Sequence, residues 1–206
     1  MKKNTFKTLA KQIAGQMPGF AVEGAMMFAT PMDHTLRGIY FEGSSFSPDV
    51  FYVWVFFLPL YVPVKHIHFT LGRRLCDNGE RWSLSDSTLE ENLCLAIQRE
   101  ALPFLYPLRS MEGVIEAIST RPEQENPYVK EALAYTLART GPKARSIALL
   151  RQLIQSLDVR MPWQREMAER AEMLESKLVG DSADADRQLD MWEMESMTNL
   201  GLNNFS

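Results

Sequence analysis

The chain has 206 residues, 46% of them hydrophobic and 23% charged, which excludes general disorder and is long enough to bury a real core. Twenty-two Lys and Arg against twenty-six Asp and Glu leave a net charge of −4, which argues against a dedicated polyanion binder. Two cysteines, Cys76 and Cys94, exclude a disulfide-dense scaffold and suit a reducing compartment or two buried apolar thiols.

The opening MKKNTFKTLAKQIAGQM is basic, but Lys7 and Lys11 interrupt any apolar run that could serve as a secretory signal. It is therefore read as retained, and the chain as cytoplasmic. Phe6, Leu9, Ala10, Ile13 and Met17 recur at helical spacing, so residues 4–17 are predicted to form an amphipathic helix ended by Pro18 and Gly19. Lys2, Lys3, Lys7 and Lys11 give it a cationic side too small for more than modest attraction to lipid or nucleic acid.

The period then changes. Residues 20–29, 36–43, 50–58 and 65–75 are rich in Val, Phe, Tyr, Trp and Ile between Pro, Gly, Ser and Asp clusters, which predicts a four-stranded antiparallel meander. The third strand, VFYVWVFFL, is apolar on both faces and is expected to be central and covered twice. Residues 50–64 are the most apolar stretch, but they are shorter than a membrane-spanning helix and contain Pro59 and Pro63, so no membrane association is expected. The fourth strand would place Ile67, Phe69 and Leu71 on one face and His66, His68 and Thr70 on the other.

In LSDSTLEENLCLAIQREAL, Ser87 and Glu90 form a candidate capping box, and Leu89, Leu93, Ile97 and Ala101 make the stripe of a helix that packs on the sheet. Pro103 and Pro107 interrupt it, and a shorter helix follows over 111–118. The apolar-free stretch TRPEQENP, residues 120–127, reads as a boundary. Beyond it, Asn126 with Pro127, Gly141 with Pro142, and Pro162 with Trp163 divide the chain into helices near 127–140, 142–157 and 162–178, arranged as antiparallel hairpins. Ala134 and Ala168 stand thirty-four positions apart, and this part is superficially similar to one and a half tetratricopeptide units, without that family's aromatic pattern. From 181 onward six carboxylates face Arg187 alone, while Leu189, Met191, Trp192, Met194 and Met197 supply an apolar component, so the tail either docks back on the body or waits for a partner. The expected architecture is α+β: an N-terminal helix and four-stranded antiparallel sheet packed by helices (1–120), a helical hairpin subdomain (121–180) and an acidic tail (181–206).

No paired CxxC, HExxH, GxSxG or dinucleotide glycine motif is present. Gly38-Ile-Tyr-Phe-Glu-Gly43-Ser44-Ser45 has phosphate-loop glycine spacing but Ser in place of the lysine, and it lies in a strand. His66 and His68 on one strand face, with His34 as a third ligand and Asp33, Glu23 or Glu42 completing the shell, are the metal candidates. Cys76 follows Arg73 and Arg74, which favour a thiolate if the side chains converge. Nine aromatics between 40 and 61 could stack bases, but that interval holds no Lys or Arg, so core packing rather than nucleic-acid binding is expected, with a small-molecule pocket as the lesser reading; no cofactor is expected.

These features point to a non-catalytic protein-binding protein, most sharply an immunity or inhibitor protein that occludes one basic partner such as a toxin. Its carboxylates at Asp184, Asp186, Asp190 and Glu193 would steer association, with Trp163 or Trp192 as anchors. The alternatives are a helical adaptor or assembly factor recognising a peptide through residues 127–178, and an enzyme or metal site built on His66, His68, Glu42 or Cys76.

Overall fold

The computed structural model describes residues 2–75 and 81–205, with side chains from residue 5 onward. It is α+β, with an antiparallel sheet and helices, and divides into two compact units. One comprises Met1–Leu58, Ile67–Arg109 and Gly201–Ser206; the other comprises Pro59–His66 and Ser110–Leu200.

The first unit opens with α1 (Lys2–Gly15), which buries Phe6, Leu9, Ala10 and Ile13 at the expected helical spacing. The sheet follows: β1 (Phe20–Glu23), β2 (Met26–Ala29), β3 (Thr35–Gly43), β4 (Val50–Pro59), β5 (Gly72–Leu75) and β6 (Trp82–Ser83). The strands lie in the order β1-β2-β3-β4-β5, and β6 pairs with β4 beyond the β5 segment.

Three strand expectations are corrected. Residues 20–29 are a hairpin rather than one strand, because Gly24, at φ +58°, makes the tight turn that sets Glu23 opposite Met26. Residues 65–71 are not strand, and only Gly72–Leu75 joins β4. Phe69 instead stacks face to face on Trp54 at 4.6 Å, and its carbonyl accepts the Gly72 N–H in a turn just before the ladder begins. Trp82–Ser83, expected outside the sheet, supplies the remaining strand, with the Trp82 indole N–H donating to the Leu75 carbonyl.

Nor is β4 covered twice along its whole length. Phe51, Val53 and Val55 are fully buried, whereas Val50, Tyr52 and Trp54 are half-buried; burial of both faces begins at Phe56. The half-buried face is a polar and aromatic cluster: Arg74 lies 4.2 Å from the Tyr52 ring centre and 5.0 Å from that of Trp54, and the Trp54 N–H donates to Glu42 at 2.8 Å. Phe56 fits between two glycines. A Cβ at Gly38 would fall 2.7 Å from its ring, and one at Gly72 would fall 2.8 Å from both its Cβ and the Val55 carbonyl oxygen. Gly38 is thus explained by close packing inside a strand.

After β6 comes α2 (Leu89–Ala96), continued by a π-helical turn (Ile97–Ala101), α3 (Leu102–Leu105) and a 3₁₀ turn (Pro107–Arg109). Leu89, Leu93, Ile97 and Ala101 are buried as the stripe predicts. The Ser87–Glu90 capping box does not form; Asp86 accepts both the Thr88 N–H and its hydroxyl, and the helix starts one residue later. At the chain's end Phe205 packs edge-on against Phe28, centroids 5.1 Å apart.

The second unit contains α4 (Met111–Ser119), α5 (Pro127–Thr140), α6 (Lys143–Ser156), α7 (Pro162–Gly180) and α8 (Ser182–Leu200). Caps account for the starts of α4 and α5 and for the end of α5: Ser110 accepts the Gly113 N–H, Asn126 accepts the Tyr128 N–H with Pro127 at the first helical position, and Gly141 ends α5 at positive φ. Helix α5 is the centre of the unit, buried on nearly every side from Val129 to Ala138, with α4, α6 and α8 packed on it. Its one carboxylate, Glu131, is 2% exposed and is held by two Arg170 hydrogen bonds, the shorter 2.9 Å. Residues 59–66 join this unit: the Tyr61 hydroxyl donates to Thr136 Oγ1 at 2.9 Å, and the Val64 N–H donates to Ser196 Oγ. Among the described residues no helix is long and apolar enough to cross a membrane.

Candidate binding surface

The tail's alternation of acidic and apolar residues resolves into two sides of α8. Ala185, Leu189, Trp192 and Ser196, spaced three and four apart, are buried. Trp192 lies nearly parallel to Tyr135 with centroids 5.4 Å apart, so it fastens α8 to α5 rather than facing solvent. The opposite side carries Asp186, Asp190 and Glu195 together with Met191 and Met194, which are 63% and 69% exposed. Helix α7 exposes Glu169, Glu172 and Met173 on its own outer side. Over residues 162–200 ten acidic side chains face four basic ones, so the hairpin is the negative part of the molecule.

The carboxylates differ in what already holds them. Arg139, near the end of α5, pairs with Asp190 at 2.8 Å and with Glu193 at 3.3 Å. Asp184 pairs with Arg187 one turn on. Asp186 and Glu195 have no ion pair among the described residues, and both are exposed. They are therefore the carboxylates of α8 most available to an incoming cation.

Trp163 is elsewhere, on the first turn of α7. It stacks on Tyr128 with centroids 5.4 Å apart, and Val159 and Met161, in the α6–α7 connection, are exposed nearby in sequence. From Asp181, where α7 and α8 join, Asp186 is five residues away and Trp163 eighteen, about 20 Å apart along the hairpin at 1.5 Å per residue. Of the six residues singled out from sequence, Asp186 and Asp190 lie on the outer side, Asp184 and Glu193 are half-buried and ion-paired, Trp192 is a buried anchor and Trp163 belongs to a separate aromatic pair. Arg139 and Tyr128, which organise two of these groups, carry no local sequence signal that marks them.

The histidine site is corrected. Because 65–71 is not strand, His66 and His68 do not share a strand face, and His34 sits at φ +68° in the β2–β3 turn behind Asp33 at φ +44°. Among the described residues no three His, Cys, Asp or Glu side chains are grouped to hold a metal ion. Glu42 is engaged by the Trp54 indole. Cys76 lies outside the described residues. Cys94 is buried, its thiol donating to Gln16 Oε1 at 3.4 Å; burial, with the Glu90 carboxylate as a lesser cause, raises its pKa and keeps it a thiol.

In comparison with known proteins, the chain matches no family model, no curated protein and no solved structure.

Proposed function

We propose that the chain is a non-catalytic protein-binding protein of the immunity or inhibitor kind, which occludes one basic partner protein through the outer side of α8. The observation that carries this reading is the pairing of exposed Met191 and Met194 with exposed carboxylates on a helix whose other side is locked into its own unit. The two chemistries divide the work of recognition. Asp186 and Glu195 complement a basic cleft and accelerate encounter, an effect that salt screens. The methionines supply polarizable apolar area that conforms to an irregular surface. Asp184 and Asp190, already ion-paired, add to the field more than to direct contact.

The test is affinity capture from the native cell, at low and high salt, with the wild-type chain and a D186K/E195K variant in parallel. Both substituted side chains are exposed, so the fold should survive the exchange. One stoichiometric basic protein, retained by the wild type at low salt and lost by the variant, is the expected result. A partner held equally by both chains, or none, overturns the proposal. The adaptor reading rests on the exposed Tyr128–Trp163 stack, and it takes over if W163A, and not D186K/E195K, abolishes capture.

A further inference from the structure

A cavity of about 240 Å³ opens in the first unit where the end of α1, the β1–β2 hairpin, β3 and the helix after the π-helical turn meet. Its inner wall holds Arg37, the third residue of β3, which is 2% exposed. Nη2 of Arg37 donates to the Pro31 carbonyl, but its Nε finds no hydrogen-bond partner among the described residues. Arg109 lines the same cavity from the 3₁₀ turn, its guanidinium 4.9 Å from the centre of the exposed Tyr106 ring. Burial, followed by the charge of Arg109, depresses the pKa of Arg37, and Asp33 opposes this only in part. Among the described residues no carboxylate lines the cavity; its other polar side chains of note are the amides of Gln16 and Gln98.

We propose that this cavity binds a small organic carboxylate with an apolar body. Two guanidiniums line the cavity, with no carboxylate among the described residues of its wall; this calls for an anion, and a planar guanidinium matches a carboxylate. Met17, Phe20, Ala29, Leu102 and Leu105 supply apolar wall for the ligand's body, which distinguishes an organic acid from inorganic phosphate. The volume suits a molecule of roughly ten non-hydrogen atoms, below the usual drug-sized range. The π-helical turn Ile97–Ala101 contributes Gln98 and leads into Leu102, and single π turns of this kind recur beside ligand sites. This inference is independent of the α8 surface.

The experiment is a calorimetric titration of the full chain with benzoate and with hexanoate at low salt, with benzyl alcohol and inorganic phosphate as comparison probes. Methyl chemical shifts of Ala29 and Leu102 locate any binding. The titration is repeated on R109Q, whose side chain is exposed, and on R37Q. We expect one saturable carboxylate site, shifts at both methyls, no site for benzyl alcohol, and a dissociation constant at least about tenfold higher in R109Q. R37Q, if folded, should lose the site; if it does not fold, R109Q decides. No binding of either carboxylate, phosphate binding as tightly as benzoate, or benzoate affinity unchanged in R109Q each overturns the proposal.

Discussion

Replacing Arg170 with Met would leave the Glu131 carboxylate, 2% exposed in the middle of α5, without the guanidinium that holds it. Removing one partner of a buried pair costs about 3–5 kcal/mol, because the remaining charge has neither water nor counterion. Burial already pushes the pKa of Glu131 above the usual carboxylate range, with Arg170 holding it partly down. In R170M it should rise further, so the folded chain binds a proton that the unfolded chain has released. Stability then falls as pH rises from the unfolded carboxylate's pKa to the folded one, by up to about 1.4 kcal/mol per pH unit. Below the unfolded value both states are protonated and the pH-dependent part of the loss disappears. Urea unfolding followed by helical circular dichroism should therefore show R170M losing about 3–5 kcal/mol near pH 8 and markedly less near pH 5. The double variant E131L/R170M, apolar on both sides, should recover most of the loss at both pH values. A loss in R170M below about 1 kcal/mol near pH 8, or one of equal size near pH 5, would refute the account of Glu131 as a charge dependent on Arg170.

Other outcomes follow from the same structure. W192A removes the ring stacked on Tyr135 and should cost about 3–5 kcal/mol of stability in urea unfolding; a cost below about 1 kcal/mol would mean that α8 is held by other contacts. G38A and G72A should each destabilise by about 1–3 kcal/mol, but only G38A should be rescued by F56L, because the Cβ at position 72 also meets the Val55 carbonyl. Equal rescue of both would contradict the packing of Phe56 described here. In a C76S chain, thiol titration of the native protein should be slow and become rapid on denaturation, since Cys94 is buried with a raised pKa; rapid native reaction would contradict that placement.

What could be read in advance depended on how local the physics was. Helices α4 and α5 begin where capping residues sit within a few positions of the backbone groups they satisfy, as Ser110, Asn126 and Pro127 do, and Gly141 ends α5 in the same local way. Strands lack that property. The apolar alternation of 65–71 matches a strand, but Phe69 spends its ring on Trp54, and that choice is made by a residue fifteen positions earlier. Composition showed that 181–206 is acidic and partly apolar; which carboxylates are already neutralised depends on Arg139 of α5, which sequence does not link to them. The same holds for Arg37 and Arg109, unremarkable singly and brought to one cavity only by the fold.

Residues 59–66 belong with the helices from 110 onward, and Val64 reaches a hydrogen-bond partner 132 positions later, at Ser196. During synthesis at about 5–20 residues per second, that segment leaves the ribosome roughly 7–26 s before Ser196 does. Leu60, Tyr61, Val62 and Val64, all buried in the finished protein, must wait through that interval without Ser196. The second unit therefore cannot be completed vectorially, and neither unit can be released by a single cut of the chain. A nascent chain stalled before α8 should present this apolar segment to holding chaperones.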